Sequence, residues 1–139
     1  MVIWLTGNSG SGKTTLANAF RAKCPQWILL DGNAMRASIS LGTGFSKEER
    51  EAHNLRVARL ADVLDKQGHD IIIAVIAPYK STRKKIDKIV NCSWIYMKRT
   101  MARRENYPYE VPSNSEAITI DVDNMSIDEE VLRLERMFE

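Results

Sequence analysis

The stretch Gly7-Asn8-Ser9-Gly10-Ser11-Gly12-Lys13-Thr14 comes directly behind the apolar run Val2-Ile3-Trp4-Leu5 and completes the pattern GxxxxGK[ST]. Glycines in such a loop let consecutive backbone N–H groups curl around an anion without Cβ clashes. The lysine and hydroxyl at its end complete a polyphosphate cradle: Lys13 is placed to neutralise the β- and γ-phosphates of ATP, and Thr14 to offer its hydroxyl to Mg²⁺. Thr15-Leu16-Ala17-Asn18-Ala19-Phe20 continues as a helix whose positive end faces the same anion. A chance glycine-rich turn explains the loop but not the succession of strand, full motif and helix. The expected ATP contacts are therefore Gly7, Asn8, Ser9, Gly10, Ser11, Gly12, Lys13, Thr14 and Thr15.

With 139 residues, 44% hydrophobic and 27% charged, the chain reads as one globular P-loop domain over 1–139. No run suits a transmembrane span or signal peptide, so a cytoplasmic protein without a membrane partner is expected. Cys24 and Cys92 lack partners at metal spacing and read as reduced, buried thiols; His53 and His69 cannot build a metal site alone. Strand-like runs at 2–6, 27–30, 71–76, 93–97 and about 117–121 alternate with helical patterns. That alternation predicts an α/β protein with the P-loop NTPase/kinase fold, a mainly parallel sheet of about five strands flanked by helices.

Ser46-x-x-Glu49 and Ser126-x-x-Glu129 are capping boxes that start two helices. The last helix is expected to bury Ile127, Val131, Leu134 and Phe138. In the helix at about 47–67, Val57, Leu60, Ala61 and Leu64 form a core stripe, and Gly68 stops it. Extended backward, the stripe lands on His53 and Arg50. Such a stripe either leaves the core for a cleft or ends in an arginine that snorkels to water.

Asp31 ends the second apolar run, and in open α/β sheets ligands bind outside the carboxyl ends of the strands. A carboxylate there can take or orient the proton of an attacking hydroxyl and contact Mg²⁺, or it can serve a purely conformational Asp-Gly turn. No Asp follows the run 71–76, which ends in Ala77-Pro78-Tyr79, so the acidic role falls to Asp31. Arg36 is a candidate clamp for a phosphate or sulfate. Ala77-Pro78-Tyr79 either just terminates its strand or forms a wall for a bound nucleotide. Phe45 either stacks on a base or staples onto the following helix. Lys80, Arg83, Lys84, Lys85, Lys88, Lys98, Arg99, Arg103 and Arg104 face only Asp87 in their stretch, as a solvated face or a seat for an anionic substrate or nucleic acid.

Residues 7–17, Leu30-Asp31-Gly32-Asn33, Arg36, Gly44-Phe45-Ser46, Arg50, Ala77-Pro78-Tyr79-Lys80 with Arg83, and Pro108-Tyr109-Glu110-x-Pro112 together resemble the adenylylsulfate kinase family nearly end to end. The resemblance implies transfer of the γ-phosphoryl group of MgATP to the 3′-hydroxyl of adenosine 5′-phosphosulfate, a small nucleotide-like substrate. It implies Asp31 and Lys13 as catalytic residues and Thr14 with Asp31 as the metal site. Around the acceptor it implies Arg36 and Arg50 on the phosphosulfate, Phe45 on the adenine, and His53, Asn54, Ala77, Pro78 and Tyr79.

This chain departs from that pattern at Asn33, where the family has a second Asp, at His53, where it has a substrate-binding Asn, and at Ala77, where it has Ser. Residues 101–107 also lead straight into Pro108-Tyr109-Glu110, where the family inserts a lid carrying a Lys and a second Phe. Lids of that kind exclude water from the reactants. Tyr107 would replace the missing ring, and Arg103 or Arg104 would reach ATP. The short segment and His53 also fit another small acceptor such as cytidine diphosphoramidate. The basic run fits a polynucleotide 5′-hydroxyl less well, and a homologue that binds ATP without transfer is the non-enzyme reading. A homodimer is left open.

Overall fold

The computed structural model describes residues 1–100 and 108–138, so Arg103, Arg104 and Tyr107 lie outside the described residues. In chain order the elements are β1 (Val2–Thr6), α1 (Lys13–Lys23), β2 (Ile28–Asp31), α2 (Gly32–Arg36), α3 (Lys47–Lys66), β3 (Ile71–Ala74), α4 (Lys80–Asp87), β4 (Ser93–Lys98), β5 (Ile118–Asp121) and α5 (Ile127–Met137). Among the described residues the strands form one five-stranded sheet in the order β2-β3-β1-β4-β5, every neighbouring pair parallel. The expected α/β P-loop architecture is what forms.

Helices cover both faces, so β1 and β3 are buried throughout and, Thr6 apart, apolar. The pleat sends Val2 and Trp4 to one face and Ile3 and Leu5 to the other. On the first face they meet Val57, Ala58 and Ala61 of α3 and Ile86 of α4. On the second they meet Leu16, Ala17 and Phe20 of α1 and Val131 and Leu134 of α5.

Several boundaries move for local reasons. β2 begins at Ile28 because Trp27 turns edge-on to Phe20, with ring centroids 5.1 Å apart. β3 stops at Ala74, and side chains take over the next carbonyls: Trp4 Nε1 donates to Val75 O at 2.9 Å and Thr6 Oγ1 to Ile76 O at 2.5 Å. Gly68, at φ +86°, terminates α3 as expected. The Ser126 box on α5 is complete. At α3 only half a box forms. Ser46 accepts the Glu49 N–H, while the Glu49 carboxylate turns to the Gly44 N–H at 2.6 Å.

Two expectations about burial need correction. Ile127, at the first position of α5, stays 36% exposed, and the buried stripe begins a turn later with Glu130, Val131 and Leu134. Cys24 and Cys92 are outside any disulfide among the described residues but only half-buried. No described helix is long and apolar enough to cross a membrane.

Candidate active site

The carboxyl ends of β1, β3 and β2 line up along one edge of the sheet, and a cavity of about 450 Å³ opens above them. One wall is the loop after β1, represented by Ser9, Gly10, Lys13 and Thr14. Asp31, Asn33 and Arg36 come from the end of β2 and from α2; Phe45, Arg50, His53 and Asn54 come from the start of α3. Ala77 and Pro78, beyond β3, close the remaining side.

The loop is built on glycine geometry. Gly10 and Gly12 sit at φ +82° and +93°, where an L side chain is strained. Gly7 is excluded from substitution by space, since a Cβ there would stand 2.7 Å from Ser11 Oγ and 2.9 Å from Met97 O. Lys13 folds back over this turn and donates to Gly7 O at 2.9 Å, Asn8 O at 2.9 Å and Ser11 Oγ at 3.2 Å. Burial lowers its ammonium to about 8, with the Asp31 charge pulling the other way. Gly7, Asn8, Ser11 and Gly12 shape the loop without lining the cavity, and Thr15 is exposed on α1.

Asp31 occupies the N-cap position of α2 in extended conformation, but its side chain makes no cap bond. It accepts the Thr14 hydroxyl proton at 2.7 Å instead. The carboxylate therefore faces the phosphate loop, beyond what a conformational Asp-Gly turn requires. Thr14 and Asp31 form a pair of hard oxygen donors, the chemistry Mg²⁺ prefers. No group of three or more His, Cys, Asp and Glu that could hold a metal occurs among the described residues, so the remaining ligands would come from phosphate oxygens and water.

On the opposite side, Arg36 Nη1 donates to the carbonyls of Thr43 and Gly44, both at 3.1 Å, and its guanidinium carbon lies 4.3 Å from the Phe45 ring centroid. Arg50 Nε donates to Phe45 O at 2.7 Å, with its guanidinium carbon 5.6 Å from the same ring. Phe45 precedes the Ser46 cap, and the fourth helical residue is Arg50 rather than an apolar partner. A cation–π contact thus stands where a staple would, and the ring remains 62% exposed.

His53 is 3% exposed and its Nδ1 shares a 2.7 Å hydrogen bond with Ser40 Oγ. Burial, reinforced by the Arg36 and Arg56 charges, lowers it to about 4, so the imidazole is neutral at physiological pH. Asn54 beside it is 2% exposed, and its Nδ2 finds no partner among the described residues. The polar end of the α3 stripe does enter a cleft.

Tyr79 departs from expectation: it caps α4 outside the cavity, with Lys47 Nζ 5.0 Å from its ring. Ala77 holds φ +48°, a left-handed conformation costing an L-residue about 1–2 kcal/mol. Some contacts escaped the sequence reading. Arg99 Nη1 donates to Gly10 O at 2.9 Å, and Ser40 supports His53. Arg99 was visible only as part of a basic run, and Ser40 carried no local signal.

A family model described as adenylylsulphate kinase matches residues 1–107. An adenylyl-sulfate kinase of Deinococcus deserti is 42% identical over 89 residues, which cover 61% of this chain and 49% of the relative. The chain thus spans about half the length of that curated relative. A probable adenylyl-sulfate kinase of Aeropyrum pernix is 31% identical over 162 positions, covering 94% of this chain and 88% of the relative. That alignment is longer than this 139-residue chain, so the relative carries residues this chain lacks. The fold is also that of the Mycobacterium tuberculosis APS kinase solved with AMPPNP and APS, at TM-score 0.85 and 22% identity, covering 98% of this chain and 95% of that one.

Proposed function

The chain belongs to the adenylylsulphate kinase family, and on that premise we propose that it transfers the γ-phosphoryl group of ATP to the 3′-hydroxyl of adenosine 5′-phosphosulfate. One observation carries this reading: the phosphate-loop hydroxyl of Thr14 and the carboxylate of Asp31 meet at 2.7 Å, in a cavity whose far side holds two arginines. Phosphoryl transfer asks mainly for in-line positioning and charge stabilisation, and both can be assigned to residues here.

Lys13 would exchange its loop carbonyls for β- and γ-phosphate oxygens, while the amides around Gly10 and Gly12 receive the remaining anionic charge. Thr14 and Asp31 would hold Mg²⁺, which supplies further charge neutralisation. Arg36 and Arg50 would bind the phosphosulfate, Phe45 would offer its exposed face to the adenine, and the unpaired Asn54 amide would donate to the acceptor. Asp31 takes the proton of the acceptor hydroxyl as its oxygen bonds to the γ-phosphorus and the bond to the β–γ bridging oxygen breaks, leaving ADP.

A transfer screen with γ-labelled ATP tests this assignment, using adenylylsulfate, cytidine diphosphoramidate and oligonucleotides with free 5′-hydroxyls, with hydrolysis followed in parallel. Label should pass to adenylylsulfate. Preferential labelling of another acceptor, or hydrolysis alone, overturns it.

A further inference from the structure

We infer that Arg83 is a positioning residue, one that locks the acceptor-side wall of the cavity to the segment 108–112 and thereby sets acceptor affinity. The inference rests on the function proposed above and adds to it a residue that touches neither reactant.

Arg83 sits on α4 within the most basic stretch of the chain, yet it is only 5% exposed. A solvated cationic face is therefore not its role. Its planar fork is divided between two backbone segments. Nη1 donates to Ala77 O at 2.7 Å, and Nη2 donates to Glu110 O at 2.6 Å. A guanidinium presents these donors at fixed angles, so the pair of bonds fixes the separation of the two segments as well as holding them.

The junction is reinforced on every side. The Glu110 N–H donates to Pro78 O at 2.8 Å, and the Glu110 carboxylate accepts the Lys80 N–H at 3.0 Å. Thr6 has one hydroxyl proton and gives it to Ile76 O, so in the 2.8 Å contact with Thr6 it is Tyr109 that donates. The Tyr109 ring packs against Tyr96, stacked at 5.9 Å, and has the Arg83 guanidinium carbon 5.7 Å from its centroid.

The held segment includes the wall itself. Ala77 and Pro78 line the cavity, and Ala77 is the residue in the left-handed conformation. An alanine relaxes from that conformation unless its surroundings over-determine it. Arg83 grips the carbonyl of this same residue. Lys13, by contrast, draws its bonds from Gly7, Asn8 and Ser11, so the ATP side of the cavity meets the clasp only at its edge, through the Thr6–Tyr109 bond.

Arg83→Met, which keeps the apolar stem and removes the donors, should raise the KM for adenylylsulfate about tenfold. The ATP dissociation constant, measured by calorimetry, should stay within about twofold. Hydrogen exchange should quicken at residues 77–80 and 108–112 and stay unchanged in α1. Arg83→Lys should recover part of the loss by reaching one of the two carbonyls. Glu110→Ala removes one exposed side-chain bond from the same junction; it should shift KM and exchange in the same direction by less, and it decides the matter alone if Arg83→Met does not fold. An unchanged KM with unchanged exchange in a folded variant overturns the inference, as does an equal loss of ATP affinity. If the native protein labels no acceptor, the proposed function fails, while the exchange pattern still decides the clasp.

Discussion

The Thr14 hydroxyl and the Asp31 carboxylate are joined across 17 positions of sequence by a 2.7 Å hydrogen bond, so the start of α1 and the end of β2 share one polar contact. Asp31 then carries the only carboxylate among the described residues that line the cavity. Asp31→Ala should cut turnover by about 100-fold or more while ATP still binds. Steady-state kinetics paired with calorimetry separate the two effects, and near-normal turnover removes Asp31 from the mechanism.

Gly7→Ala tests the packing of the phosphate loop against β4. The added methyl meets Ser11 Oγ at 2.7 Å and the Met97 carbonyl at 2.9 Å, and the carbonyl is backbone of a buried residue of β4, paired with strands on both sides, that cannot swing aside. A loss of about 1–3 kcal/mol is expected. Denaturant unfolding should show it together with weaker ATP binding; unchanged stability contradicts the geometry.

Lys13 supplies a pH dependence. In the free protein its ammonium is lowered to about 8, whereas beside phosphate oxygens the charged form is favoured. ATP binding should therefore take up protons above pH 8, and affinity should fall as pH rises from 8 towards 10, by at most about tenfold per pH unit. Calorimetry in buffers of differing ionisation heat measures the uptake. Affinity that is flat across that range contradicts the assignment.

His53 gives the complementary acid-side test. Its folded-state value of about 4 lies below the ordinary 6.5, so between those limits the unfolded chain binds the proton and the folded one does not. Stability should consequently fall as pH drops from 6.5 to 4, with no contribution from this group above 6.5. The imidazole resonances of His53 should titrate near 4, and His53→Asn should flatten the acid limb of a melting-temperature profile. A titration midpoint at 6.5 or higher rules this out.

How much of this was legible beforehand follows from the range of the interactions. The phosphate loop is a local device, set by glycines and a helix start, and its eight residues announce it. Asp31 and the polar end of the α3 stripe were readable because strand ends and helix periodicity place side chains without any partner being known. Arg83 was not readable as an anchor. Nothing in a basic run distinguishes a guanidinium in water from one that grips the carbonyls of Ala77 and Glu110. Tyr79 and Ile127 failed for a related reason: each lies at a helix boundary, where a shift of one residue changes what the side chain faces.

The Glu49 carboxylate takes the Gly44 N–H, and Arg50 takes the Phe45 carbonyl, so the loop carrying Phe45 is fastened to the first turn of α3. α3 packs on α4 and β3, whereas α1, which follows the phosphate loop, packs on α5, β2 and β3. The phosphate loop and the Phe45 loop are thus attached to helices on opposite faces of the sheet, with β1 and β3 between them. A slide of α3 along β3 by a fraction of an ångström would widen or narrow the gap between reacting atoms while both grips stay intact. Substitutions in the α3–α4 seam, remote from either reactant, would then retune catalytic rate and spare both affinities.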